Sequence, residues 1–118
     1  MSRESGFKGE QIALHYLLDQ GYTQLTQNFF SRQGELDLVV LDPKDTLVVI
    51  EVKAYKPNSL VHPLQAITPK KLHHIHKALL YFWKKHPQYA SHSCRVDVMV
   101  VRNNRVEQHV ENVLQVSE

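Results

Sequence analysis

Four charged residues border two strongly apolar segments in the stretch GELDLVVLDPKDTLVVIEVKAY, residues 34–55. Glu35 and Asp37 stand at the start of the first segment, and Glu51 and Lys53 stand at the end of the second. Charged side chains are costly to bury in a strand that is covered on both faces. Either these residues reach solvent, as an isolated acidic residue at a strand end usually does, or they converge on a shared divalent cation.

The register between the two segments decides whether Asp37 can meet Glu51. Side chains alternate between the faces of a sheet, and directly opposed residues share a face. A three-residue connection of Pro43 to Asp45 places Asp37 opposite Glu51, whereas a four-residue connection places it opposite Ile50. The chemistry favours the first register, because two carboxylates on one face can share a divalent cation and Lys53 can position or activate a water beside them.

A third carboxylate, Glu10, belongs to the first helical segment of the chain. The segment SGFKGEQIALHYLLDQG has apolar residues at helical spacing and ends at Gly21, a typical C-terminal signal. In helical projection Glu10 shares a face with Ala13, Leu14 and Leu17. We therefore expect its side chain to point inward rather than toward water.

The order of predicted elements is helix, three strands, helix, strands, which indicates an α/β protein with a mixed sheet flanked by helices. The strands are YTQLTQNFF, GELDLVVL and TLVVIEVK, followed after the second helix by CRVDVMVV and RVEQHV. The second helix has Thr68 as its cap and Pro69 at its first position, with Leu72, Ile75, Leu79 and Trp83 along one face. Asn103 and Asn104 form the turn of the closing strand pair.

Length and composition predict a single soluble domain over residues 1–118. The chain is 42% hydrophobic and 22% charged, which is typical of a globular protein, and its net charge of +2 says little about partners. The single cysteine, Cys94, excludes an internal disulfide and a cysteine-based zinc cluster. Because no apolar run approaches the ~18 to 20 residues that span a bilayer, we expect a cytoplasmic protein without a membrane segment.

Basic residues outside the acidic group are the candidate contacts for a nucleic-acid backbone. These are Arg32, Lys56, Lys70, Lys71 and Lys77, for which a solvated helix face is the plainer alternative. Lys70 and Lys71 fall in the first turn of the second helix, where backbone N–H groups also favour phosphate. His73, His74 and His76 lack the i, i+4 spacing that metal-binding helices use, so a zinc site there is disfavoured.

Taken in order, these segments resemble the YraN-like proteins of bacteria, which are predicted endonucleases of the restriction endonuclease-like, Holliday junction resolvase-related superfamily. The resemblance covers nearly the whole chain and rests on GFKGEQIALHYLLDQGY, NFFSRQGELDLVV, LVVIEVKAY, AITPKKLHHIHKALLYF and CRVDVMVV. It implies a core of helix, three-strand meander, helix and strand. Asp37, Glu51 and Lys53 then fill the Asp...Glu-x-Lys motif, and Glu10 matches the acidic residue of the first helix.

The activity that the resemblance implies is metal-assisted hydrolysis of DNA phosphodiester bonds. It indicates no particular substrate, and our hypothesis is that the enzyme acts on branched or flapped DNA. Asp37 and Glu51 would bind Mg²⁺ or Mn²⁺ together with the Val52 carbonyl. Glu10 would bind the ion through a water molecule or bind a second ion. Glu35 would lie next to the metal ligands without binding the ion itself. Lys53 would orient or help deprotonate the attacking water.

Two positions depart from the family pattern. Tyr55 stands where the family usually has arginine, and LHHIHK stands in a helix that is usually rich in arginine. An alternative therefore stays open, namely a nucleic-acid-binding module with little or no cleavage, and a third reading makes the protein an assembly partner with a relic acidic cluster. A homodimer and a DNA-processing protein partner are also left open.

Overall fold

The computed structural model describes residues 3–32, 34–59, 67–90 and 92–116, in which two helices cover opposite faces of a five-stranded sheet. The elements are α1 (Arg3–Asp19), β1 (Thr23–Ser31), β2 (Gly34–Leu41), β3 (Leu47–Tyr55), α2 (Pro69–Lys85), a 3₁₀ turn (Pro87–Tyr89), β4 (Cys94–Arg102) and β5 (Arg105–Val116). The α/β class and the predicted order of elements are confirmed.

The five strands lie in the sheet in the order of the sequence, β1-β2-β3-β4-β5. Neighbours are antiparallel except β3 and β4, which run parallel with Glu51 beside Val98. A parallel pair needs a long crossover connection, and α2 lies within it. This crossover is what brings the start of α2 back toward the end of β3.

The connection between β2 and β3 is the three-residue turn of Pro43 to Asp45. Asp45 adopts a positive φ of 64°, and its N–H donates to the Asp42 carbonyl at 2.9 Å. The Asp42 carboxylate accepts from the backbone N–H groups of Lys44 and Thr46, each at 2.8 Å. A type I turn followed by a left-handed residue is a common three-residue hairpin, so the predicted odd connection is confirmed.

The helix α1 packs on one face of the sheet through the residues that sequence periodicity indicates. Ala13, Leu14 and Leu17 are buried against apolar residues of β2 and β3. A Cβ at Gly9 would lie 2.9 Å from the Ala54 Cβ, so a glycine here allows α1 to approach β3 closely. This close approach sets the position of the next residue, Glu10.

The helix α2 packs on the other face and begins as predicted. The Thr68 hydroxyl accepts a hydrogen bond from the Lys71 N–H at 3.1 Å, and Pro69 occupies the first turn. Ile75, Leu79 and Trp83 are buried, and Leu72 packs against the same cluster. Within the described residues, we find no helix with the length and apolar character needed to cross a bilayer.

Candidate functional site

Asp37 and Glu51 lie side by side where β2 and β3 separate. The backbone pairing of the two strands runs from Leu41 opposite Leu47 to Leu38 opposite Ile50, and the same register puts Asp37 opposite Glu51. At that position an Asp37 carboxylate oxygen accepts a hydrogen bond from the Val52 N–H at 2.9 Å. The Asp37 N–H lies 3.5 Å from a Glu51 carboxylate oxygen. Beyond the last paired residues, these contacts between side chains and backbone N–H groups link the two strands, and they hold the two carboxylates together.

Glu51 is fully buried and is approached by a lysine from α2. The Lys71 Nζ lies 3.2 Å from Glu51 Oε1, although the Lys71 side chain is itself 36% exposed. Lys53 follows two residues after Glu51 in β3 and therefore shares its face of the sheet. Two acids and two lysines, contributed by β2, β3 and the first turn of α2, therefore share this region. We call Asp37, Glu51, Lys53, Lys71 and Glu10 the acidic cluster.

Glu10 reaches the acidic cluster from α1, on the opposite side of the sheet from α2. Its side chain faces inward as predicted, because the residue is only 9% exposed, and its buried Oε1 has no hydrogen-bond partner. The charge of Asp37 raises the pKa values of both Glu10 and Glu51.

Burial and mutual repulsion keep these carboxyl groups from ionising at their usual pH. Burial, followed by the Asp37 charge, raises the pKa of Glu51 to about 7 and that of Glu10 to about 7. Burial also raises the pKa of Asp37, against the opposing effects of the Val52 N–H, Lys71 and Lys53. For Lys71, burial alone would lower the pKa, but the Glu51 charge and hydrogen bond outweigh it and the pKa rises.

Replacing Glu10 with glutamine should stabilise the metal-free protein at pH 8. A carboxyl group whose folded pKa is raised contributes stability at low pH, and that stability is lost as pH rises from about 4.5 to about 7. Replacement by glutamine removes the buried negative charge of Glu10, which the charges of Asp37 and Glu35 repel. We expect a gain on the order of 1 to 3 kcal/mol in the free energy of unfolding at pH 8, and none at pH 4.

Thermal unfolding in EDTA across this pH range measures the effect. Asp19→Asn, which neutralises an exposed acid of the same helix, is the matched control and should change little at either pH. A Glu10→Gln variant that is equally or less stable than the wild type at pH 8 would show that Glu10 carries no such electrostatic strain.

The remaining predicted residues lie outside the acidic cluster. Glu35 is exposed, and its charge still contributes to raising the pKa values of Glu10 and Lys71. On α2, one solvent-facing stripe consists of Lys70, His73, His74 and Lys77. Arg32 is exposed beside the β1–β2 connection, and Lys56 is exposed after β3. Lys71, which was predicted to contact the backbone of a nucleic acid, pairs with Glu51 in this structure.

A second charged network, around Arg95 and Asp97, was not foreseen from the sequence. Asp97 is fully buried, and its carboxylate oxygens accept from the Arg95 guanidinium, His109 Nε2 and the Asn112 N–H. The same guanidinium donates to Asp42 at 2.8 Å, so it ties β4 to the turn between β2 and β3. The alternation of Arg95 and Asp97 within CRVDVMVV was the available signal of a buried pair.

This network brings Asp97, His109 and Glu111 close enough to hold a metal ion, with ligand atoms within 4.8 Å of one another. Both Asp97 oxygens are already occupied by hydrogen bonds, and the Arg95 charge lies against them at 3.0 Å. A cation would have to displace these contacts. The network therefore stabilises the turn that sets the β2–β3 register and, with it, the pairing of Asp37 with Glu51.

The fold and the site together define an α/β protein in which carboxylates and lysines meet where two strands of a mixed sheet separate. The sequence model of the family described as "Uncharacterised protein family UPF0102" matches residues 9–101. The chain belongs to this family, which is the YraN family. The family assignment made from the sequence segments is thus confirmed.

Relatives from distant bacteria match most of the chain. A UPF0102 protein of Coxiella burnetii is 33% identical over 116 residues, covering 98% of this chain and 96% of its own length. One from Bifidobacterium longum is 38% identical over 114 residues, covering 93% and 92%. One from Syntrophomonas wolfei is 39% identical over 89 residues, covering 75% and 76%. The names of these relatives give the family alone.

Proposed function

We propose that this protein is a metal-dependent endonuclease that hydrolyses phosphodiester bonds of DNA, with branched or flapped DNA as its substrate, and that it works in the cytoplasm. One observation carries the proposal: the buried carboxylate of Glu51 and the half-buried carboxylate of Asp37 are held together beside Lys53 at the separation of β2 and β3. Burying paired acids is unfavourable unless a positive group compensates them. The order of elements is also the one expected of a restriction endonuclease-like core.

The residues of the acidic cluster fit Mg²⁺ or Mn²⁺ in their chemistry. Carboxylate oxygens are the hard ligands that these ions prefer, and Glu10 Oε1 is a buried oxygen without a hydrogen-bond partner. Among the described residues, Glu10, Asp37 and Glu51 do not bring one oxygen each within 4.8 Å of the others. We therefore assign Asp37, Glu51 and the Val52 carbonyl as direct ligands, with Glu10 acting through water.

In this mechanism the bound ion would polarise the phosphate and lower the pKa of a coordinated water. Lys53 orients the attacking water and stabilises the charge that develops on the phosphate. Asp37 keeps its orientation through the Val52 N–H, and Glu51 is held by the packing around it. Lys71 supplies positive charge to Glu51 at 3.2 Å and so offsets the repulsion between the two acids.

The exposed stripe of α2 is the proposed path of the DNA backbone from the acidic cluster. Lys70 and Lys77 flank His73 and His74 on the solvent face of the helix, and Lys70 neighbours Lys71 in its first turn. Arg32 and Lys56 supply further exposed positive charge from the loops after β1 and β3. These contacts would position the backbone without reading the base sequence.

Binding of branched DNA should strengthen as the pH falls from about 7.5 to 6, because each imidazole on α2 that gains a proton adds positive charge facing the phosphates. Each protonated histidine that reaches a phosphate should steepen the dependence of log K on log salt by about 0.9. Fluorescence anisotropy of labelled DNA in EDTA, across pH and salt, measures both quantities. The matched variant replaces His73, His74 and His76 with glutamine. Equal pH dependence in the two proteins would place the backbone path elsewhere.

A nucleic-acid-binding module without cleavage is the second candidate, and the ion pair of Lys71 with Glu51 favours it. The Lys71 ammonium group lies 3.2 Å from Glu51 Oε1 and compensates the negative charge of that carboxylate. A cluster neutralised in this way could persist without a metal ion. Binding of DNA that is independent of divalent ions, together with no hydrolysis, would establish this function.

Cleavage of a panel of DNA structures separates the two functions. Flaps, three-way and four-way junctions and blunt duplex are incubated with Mn²⁺ and either the wild type or Asp37→Asn. The endonuclease proposal requires cleavage of at least one branched structure by the wild type and none by the variant. Binding of the panel without cleavage by the wild type would support the binding module.

A further inference from the structure

A cavity of about 390 Å³ lies beside Lys53, at the C-terminal end of β3. Among the described residues, those that line it are Lys53 to Lys56 together with Asn58 and Ser59. A neighbouring cavity of about 630 Å³ shares Ala54, Tyr55 and Lys56 and adds Arg102. Tyr55 thus stands between the two cavities. The smaller one falls in the range of small-ligand pockets, about 300 to 1,000 Å³.

Arg102 of β4 holds this wall in place from the side of the larger cavity. Its Nη1 donates to the Ser59 carbonyl at 2.7 Å and lies 3.5 Å from the Lys56 carbonyl. Its guanidinium lies 5.7 Å from the centre of the Tyr55 ring, within the range of a cation–π contact. Arg102 is itself anchored to Glu107 at 3.2 Å. The half-buried tyrosine is therefore supported by Arg102, and it also lines the smaller cavity.

We propose that the smaller cavity binds one unpaired nucleotide of DNA, with the base stacked against Tyr55. Aromatic side chains bind single-stranded DNA of any sequence because every base presents a flat π face. Lys56, which is exposed and lines the cavity, provides positive charge for the phosphates of that nucleotide. A base within a duplex is already stacked on both sides and cannot enter.

This inference rests on the proposed function, because Lys53 belongs to both the cavity and the acidic cluster. It gives that function a substrate class. The DNA must carry an unpaired nucleotide next to the bond that is cleaved, as a flap or a fork does and a blunt duplex does not. Selectivity for branched DNA would then come from binding of the unpaired nucleotide in the cavity and not from the metal ligands.

The test compares binding of flapped DNA and blunt duplex in EDTA, where metal-dependent cleavage is blocked. The proteins are the wild type, Tyr55→Ala, Tyr55→Phe and Tyr16→Ala, the last replacing an exposed tyrosine that lines a separate cavity near Asp42. Loss of one stacked base should weaken flap binding by Tyr55→Ala roughly fivefold to a hundredfold. Duplex binding should not change. Tyr55→Phe and Tyr16→Ala should bind flapped DNA like the wild type.

A fluorescent base analogue, 2-aminopurine, placed at the unpaired position gives a second readout. Its emission should be quenched on binding to the wild type and to Tyr55→Phe, but not on binding to Tyr55→Ala. Equal flap binding and equal quenching by all four proteins would overturn the inference. Equal weakening of flap and duplex binding by Tyr55→Ala would overturn it as well, because it would show a general loss of the DNA surface or of the fold.

Cleavage of the same DNAs with Mn²⁺ separates this inference from the proposed function. Tyr55-dependent quenching without cleavage would uphold the nucleotide-binding cavity and refute the endonuclease. Cleavage that is equally selective in the wild type and Tyr55→Ala would uphold the endonuclease and refute the cavity. Failure of the wild type to bind any of the DNAs would refute both.

Discussion

Replacing Lys53 with alanine should lower the rate of DNA cleavage by about a hundredfold to a thousandfold while most of the DNA affinity remains. The single positive charge matters most when negative charge builds up on the scissile phosphate, so its loss affects the transition state more than the bound substrate. Lys53 also lowers the pKa values of Asp37 and Glu51, and its removal therefore changes metal binding too. Single-turnover cleavage at saturating Mn²⁺ isolates the effect on the chemical step.

The matched control is Lys44→Ala, which removes an exposed lysine from the turn between β2 and β3. It should cleave DNA at the wild-type rate, because that turn lies at the opposite end of these strands from the acidic cluster. If Lys53→Ala loses affinity and cleavage in parallel, Lys53 is a general phosphate contact. If its cleavage rate at saturating metal and DNA is unchanged, Lys53 has no part in the chemical step.

Replacing Asp37 with asparagine should weaken Mn²⁺ binding by at least about a hundredfold, since even residues that only support metal ligands cost tenfold to a hundredfold when changed. Asparagine keeps a carbonyl oxygen that can accept the 2.9 Å hydrogen bond of the Val52 N–H, so the local backbone should hold its position. What is lost is one of the two negative charges that attract the ion. Calorimetric titration of the purified protein with Mn²⁺ measures the change directly.

Asp45→Asn is the control for loss of a carboxylate elsewhere. Asp45 is exposed and has a positive φ of 64°, a conformation that asparagine also adopts readily, so this variant should bind Mn²⁺ like the wild type. Equal Mn²⁺ binding by Asp37→Asn and the wild type would remove Asp37 from the site. It would also direct attention to Asp97, His109 and Glu111 as the other described group able to gather around an ion.

Local sequence signals determined the elements and most of the acidic cluster. Apolar periodicity set α1 and α2, and the Thr68 and Pro69 signals set the start of α2, because capping and helix packing depend on residues close together in the chain. The sequence permitted two β2–β3 registers, and the chemistry of paired carboxylates favoured the three-residue turn of Pro43 to Asp45 that the structure shows, in which Asp37 meets Glu51. Resemblance to the family added Glu10 as a partner of these acids.

Tertiary structure alone decided which lysine meets Glu51 and how the turn is held. Lys71 lies 20 positions after Glu51, and their contact depends on the crossover that returns the chain from β3 through α2 to the parallel strand β4. Arg95 reaches Asp42 across 53 positions, since β3 and β4 are neighbours in the sheet. Tyr55 likewise meets Arg102 only through the β3–β4 pairing. These contacts join residues far apart in sequence. They depend on the packing of the whole sheet, which local periodicity and turn signals do not encode.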